Sequence, residues 1–230
     1  MVLFLGHISF INSLHSQDEL NQKMDSLQLV IDKTQDQDSL LSLYSQQLEI
    51  AQSLGDLRKQ AQIELLLGNA SDYTGVEMQG HHMNALGLYQ QLNDTAGIIE
   101  AYYKIADAKQ LQNDYDSTRI YAERSVELAE QMADTVGIIK GRLLLSSMYN
   151  HLALYPRSLE ELNKGRILAE GMKDNQSMVL DILNKESFAY YSLEKYNKSA
   201  EKISQILEML KPEGNARRLN VWSNNLASVY

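Results

Sequence analysis

The chain matches itself at a spacing of forty residues, and that period constrains its fold more than any other feature of the text. Asp94-Thr95-Ala96-Gly97-Ile98-Ile99 returns as Asp134-Thr135-Val136-Gly137-Ile138-Ile139, five identities in six positions. The text before each copy repeats too: Leu128-Ala129-Glu130-Gln131-Met132-Ala133-Asp134 matches Leu168-Ala169-Glu170-Gly171-Met172-Lys173-Asp174, and Ile50 to Asp56 has the same form. Asp56, Asp94, Asp134 and Asp174 are therefore spaced 38, 40 and 40. Each stands where a helix N-cap is expected, its carboxylate accepting from the exposed N–H groups of the next turn. A unit of this length cannot bury its apolar face alone, so neighbouring units must stack.

Each unit reads as two helices. In the Asp94 unit, Ile98, Ile99, Tyr102, Ile105 and Ala106 follow helical spacing, Asn113-Asp114-Tyr115-Asp116 breaks it, and Ile120, Tyr121, Val126 and Leu128 resume it. The Asp134 unit agrees, with Pro156 in a first turn where its missing N–H costs nothing. Tyr196 stands one residue later than a strict register, which predicts a one-residue insertion in that hairpin's turn. Composition points the same way: nine Met, three Phe and one Trp in 230 residues favour helix, since unbranched side chains lose little rotamer freedom there.

The units resemble long-helix tetratricopeptide repeats, in which a large residue, a Leu before a small residue, an aromatic, a turn Tyr and small second-helix residues recur. Ile105-Ala106 with Tyr115 and Ser125, and Leu145-Ser146 with Tyr149, Tyr155 and Gly165, carry the likeness. So do Leu67-Gly68, Ser187 with Tyr190, Tyr196 and Ser199, and Leu226-Ala227 with Tyr230. Four departures stand out: Arg142 and Leu183 in slots usually aromatic, Glu186 where Leu is usual, and no turn Tyr in register in the unit from Asp56 to Asn93. A HEAT-like array has a similar period, but the near absence of Pro and the small residues in both helices favour the tetratricopeptide reading. The resemblance implies an all-α, right-handed αα superhelix of antiparallel hairpins.

Residues 17–230 read as one continuous solenoid, with hairpins at about 17–55, 56–93, 94–133, 134–173 and 174–213 and a half repeat at 214–230. The half repeat places Leu219, Trp222, Leu226 and Val229 on one face that a completed unit would bury, which predicts homo-association through the terminal helix and suggests an excerpt of a longer protein. Residues 1–16, MVLFLGHISFINSLHS, are mostly apolar and read as the remnant of a secretory signal. The alternative is an amphipathic segment packed on the first helices. Export or a periplasmic location is favoured over a cytoplasmic one on this stretch. It is too short to span a bilayer.

No catalytic constellation is legible, and the chain reads as a non-enzyme with no cofactor and no metal. Glu77 and His81 share a helical face but lack a third ligand, and His81-His82 read as exposed or turn-proximal histidines. There is no Cys, and a net charge of -9 opposes nucleic acid and anionic lipid. The family resemblance implies instead a concave surface lined by first helices. Its ligand-facing positions correspond here to Gln62, Asn69 and Asp72; Glu100, Tyr103, Asp107 and Gln110; Lys140, Ser147, Asn150 and His151; and Asp181, Asn184, Phe188 and Tyr191. Amides and tyrosines suit a peptide backbone. The expected function is non-catalytic binding of a protein or extended peptide, as the sensing segment of a bacterial signalling protein. A free-standing scaffold or adaptor, or an intracellular peptide-pheromone receptor, is the alternative.

Overall fold

The computed structural model describes residues 2–71, 76–173, 176–211, 221–223 and 225, with side chains from Ser16 onward. Ten α-helices follow one another among them: α1 Val2–Ile31, α2 Gln37–Ser53, α3 Leu57–Ala70, α4 Val76–Gln91, α5 Thr95–Leu111, α6 Tyr115–Gln131, α7 Thr135–His151, α8 Tyr155–Glu170, α9 Gln176–Ser192 and α10 Tyr196–Leu210. The fold is all-α, built of antiparallel hairpins. Asp174, Leu226, Tyr230 and most of the half repeat lie outside the described residues.

The repeated Asp residues cap helices. Asp56 accepts from the Lys59 N–H at 3.0 Å, and Asp94 and Asp134 accept from Gly97 and Gly137 at 3.1 Å each. Asp36 and Asp114 do the same for α2 and α6. Six turns also have a residue in the left-handed region just before the cap residue: Gly55, Asn93, Asn113, Ala133, Ala153 and Glu194, at φ between 52° and 67°. The N–H groups of Asp56, Asp94, Asp134, Leu154 and Lys195 reach back to carbonyls five residues earlier, at 2.8–3.0 Å. This is the Schellman closure of a helix C-terminus.

The chain divides into two compact units, Met1–Gln112 and Asn113–Tyr230. In a linear array each helix packs on its neighbours alone, so any turn is a natural place of division. In the first unit Met24, Ile50, Ala51, Ile63 and Leu67 form a core flanked by Leu20, Leu27 and Tyr44. In the second, Ile139, Leu162, Ala169 and Ile182 form one core, and Leu183, Ile206 and Leu210 another on which Trp222 packs. The small residues sit at close crossings. Ala106 and Ser146 are fully buried, and the Ser187 and Ser199 hydroxyls meet at 3.0 Å between α9 and α10.

Two features bear on the register, and one of them changes an expectation. Helix α1 runs unbroken from Val2 to Ile31, so residue 16 marks no break in the backbone. An apolar run followed by QDELNQKMD contains no Pro or capping signal to stop a helix that has begun. The extra residue near Tyr196 is not in the hairpin turn, because α7 to α8 and α9 to α10 are both joined by three residues. Helix α9 already starts 41 residues after α7, which puts the insertion in the connection after α8. The Schellman turn tolerates no added residue without losing its hydrogen bonds; the longer connection does.

Candidate functional site

In the second unit, the predicted residues of α7 and α9 come together. Ser147, Asn150 and His151 on α7 and Asn184 and Phe188 on α9 line a cleft of about 310 Å³ with Lys185. The cleft exists because these are successive first helices, and the residues face outward, opposite the buried stripes of Ile139, Leu144, Ile182 and Leu183. Asn184, Phe188 and Tyr191 line a second cleft, of about 230 Å³, with Ser187, Ser199, Ile203, Trp222 and Asn225. Asp181 and Asn184 border a third, of about 480 Å³, with Leu180, Ile206 and Trp222. Asn184 is common to all three, while Lys140 lines none of them. Phe188 and Tyr191 are about half exposed, at 53% and 48%.

Lys185 is the residue that the sequence reading missed. Its ammonium donates to the Ser147 hydroxyl at 2.9 Å and stands 3.9 Å from Asp181. Asp181 and Lys185 are an i,i+4 pair beside Asn184, and that spacing was the available signal. The Asn150 side-chain oxygen is buried and has no hydrogen-bond partner among the described residues.

The first unit is more acidic. On α5, Glu100, Tyr103, Asp107 and Gln110 are half-buried. Burial pushes the Asp107 carboxyl above its ordinary pKa, and the nearby Lys104 partly opposes this. Lys104 lies over the Tyr103 ring at 5.9 Å. Gln62 and Asn69 on α3 are exposed, and Asp72 lies outside the described residues.

His82 is not exposed, contrary to expectation, but among the most buried side chains at 1%. Its ring occupies the space over Gly68, where a Cβ would fall 2.3 Å from Nε2. Burial, helped by Lys104, lowers its pKa to about 4. His81 Nδ1 lies 2.7 Å from Glu64 on α3. Glu64 also accepts from Asn84, so the polar groups of this hairpin serve one another. Among the described residues, no three His, Asp or Glu gather as metal ligands, and no helix is long and apolar enough to cross a membrane.

Comparison with solved structures settles the architecture. A signal transduction ATPase with numerous domains from Pyrococcus horikoshii, which has a tetratricopeptide repeat sensor, superposes with a TM-score of 0.69 at 15% identity, over 89% of this chain. The fold is that of tetratricopeptide repeat proteins. A Rap protein complexed with competence and sporulation factor gives 0.62 at 17% identity over 94% of the chain. Aspartyl phosphate phosphatase F from Bacillus subtilis gives 0.62 at 11% identity over 93%. The chain spans 31%, 66% and 60% of these three. No family profile and no curated protein matches the sequence.

Proposed function

We propose that this tetratricopeptide array is a non-catalytic module that binds an extended peptide or protein segment along its first helices, as the sensing part of a bacterial signalling protein. The observation that carries this reading is the meeting of three clefts at Asn184, lined by amides, hydroxyls and aromatic faces. An extended backbone offers alternating N–H and C=O groups, which Asn150 and Asn184 can pair, while Phe188 and Tyr191 supply flat contact area. The similar solved structures include a sensor and a Rap protein in complex with a factor, which supports the binding reading by analogy of fold. The apolar text of residues 1–16 supports an extracytoplasmic position.

The test is capture of a partner from the source cell, followed by comparison with variants. Asn150→Ala combined with Asn184→Ala is expected to abolish recovery of a partner held by the wild type while leaving the melt intact. Tyr103→Ala probes the first unit separately. Equal recovery by all variants would place the binding surface elsewhere.

A further inference from the structure

The hairpin turns of the second unit break the charge pattern of the rest of the chain. Helices α2, α3, α5, α6 and α7 each begin at an Asp cap. Helices α8 and α10 begin instead at Leu154 and Lys195, with no side-chain cap and no acidic residue in the first turn. Cations take that place: Arg157 on α8, and Lys195 and Lys198 on α10. Among the described residues none of the three forms an ion pair. Arg157 and Lys198 lie over the rings of Tyr149 and Tyr190, at 5.9 and 5.5 Å. The anions near in sequence are Glu194, in the α9–α10 turn, Glu201, one turn beyond Lys198, and Glu160 and Glu161, both held by Lys164, at 2.9 and 2.8 Å.

The same edge is apolar. Leu152, Leu154 and Tyr196 are 42%, 39% and 46% exposed. Its aromatic rings are fixed against one another, Tyr155 edge-on to Phe188 at 6.3 Å and Tyr196 edge-on to Tyr191 at 5.5 Å. Such rings offer contact area without loss of rotamer freedom on binding. The positive ends of two helix dipoles, with no carboxylate capping either, add partial positive charge beside them.

We propose that this edge, formed by the α7–α8 and α9–α10 turns, is a second docking surface, for an acidic protein segment that carries a bulky apolar side chain. Charge complementarity selects the occupant. On a chain of net charge -9, a cationic rim around exposed rings attracts carboxylates and leaves the apolar side chain to the aromatic ridge. The adjoining α6 turn, with Asp114 and Asp116, returns to the acidic pattern and bounds the surface. Phe188 and Tyr191 are shared with the clefts of α9, but Arg157, Lys195, Lys198 and Tyr196 are not, so this surface can fail while the peptide-binding reading stands.

The probe is a short fluorescein-labelled peptide of Glu and Asp carrying one Trp and one Leu, followed by fluorescence anisotropy. It is expected to bind the full chain, to weaken with salt, and to lose about tenfold in affinity or more on Lys195→Glu combined with Lys198→Glu. Tyr196→Ala should weaken it as well, and Asn150→Ala should not. All four positions are exposed or half-exposed, and thermal melts check that each variant folds. The proposal is overturned if the wild type does not bind, if a Lys-for-acid peptide binds as well, or if the double charge reversal has no effect. Tighter binding of an oligothymidylate than of the peptide would also overturn it, making the edge a nucleic-acid surface.

Discussion

Polar residues at packing slots are matched by partners on neighbouring helices. Arg142, in a slot usually aromatic, reaches Glu130 on α6 at 2.7 Å and Glu161 on α8 at 2.8 Å. Glu186, where Leu is usual, is buried between Arg166 on α8 and Lys202 on α10, at 3.3 and 3.2 Å. The departures were visible in the sequence, but their partners were not, because the pairing residues lie on other helices. His82 has no such partner, and its depressed pKa is a statement about stability. The unfolded chain binds its proton below about pH 6.5 and the folded chain only below about pH 4. Stability is therefore full above pH 6.5 and falls as pH drops towards 4, by on the order of 3 kcal/mol. His82→Leu is expected to flatten that part of the pH profile in urea melts, and an unchanged slope would assign it to other groups. Gly97, which recurs in the forty-residue repeat, gives its space to the Tyr89 ring, 2.2 Å from where a Cβ would lie. Gly97→Ala, like Ala106→Leu and Ser146→Leu, should destabilise by about 1 to 3 kcal/mol in thermal melts.

Within each element, the caps and turns set helix length. Asp134→Ala removes an acceptor from the α7 N-terminus and is expected to cost about 1 kcal/mol, read as a lower Tm. The turns themselves carry strain, since Ala133, Ala153 and Glu194 adopt positive φ without being glycine. Ala153→Gly should raise stability by about 1 kcal/mol, because the left-handed region is open to glycine at no steric cost. A decrease would show that the added freedom of the unfolded chain outweighs the relieved strain. The left-handed residues fall at 93, 113, 133 and 153, twenty apart. A half-period thus lies inside the forty-residue repeat. It was hidden in the sequence because Asn and Ala share no side-chain signature at that position.

Over the whole chain, Leu20, Met24 and Leu27 of α1 belong to the core of the first unit, and residues 1–16 carry no feature of the repeat. Deleting residues 2–16 is therefore expected to lower helicity only by the residues removed and to leave the melting temperature nearly unchanged. A large loss in a thermal melt would show that the first half of α1 is packed as well, and would weaken the export reading of that segment.

The sequence by itself determined the repeat, the helical hairpins, the cap positions and the small-residue slots, since each rests on local spacing and backbone chemistry that a linear text records. It also named Ser147, Asn150, His151, Asn184 and Phe188, because the register of a repeat carries positions from one unit to the next. Only the tertiary structure decided that these five share a cleft with Lys185, that His82 fills the space over Gly68, and where the inserted residue lies. Those outcomes depend on which side chains meet across separate helices, and a period of forty fixes the spacing of helices without fixing what each one finds opposite.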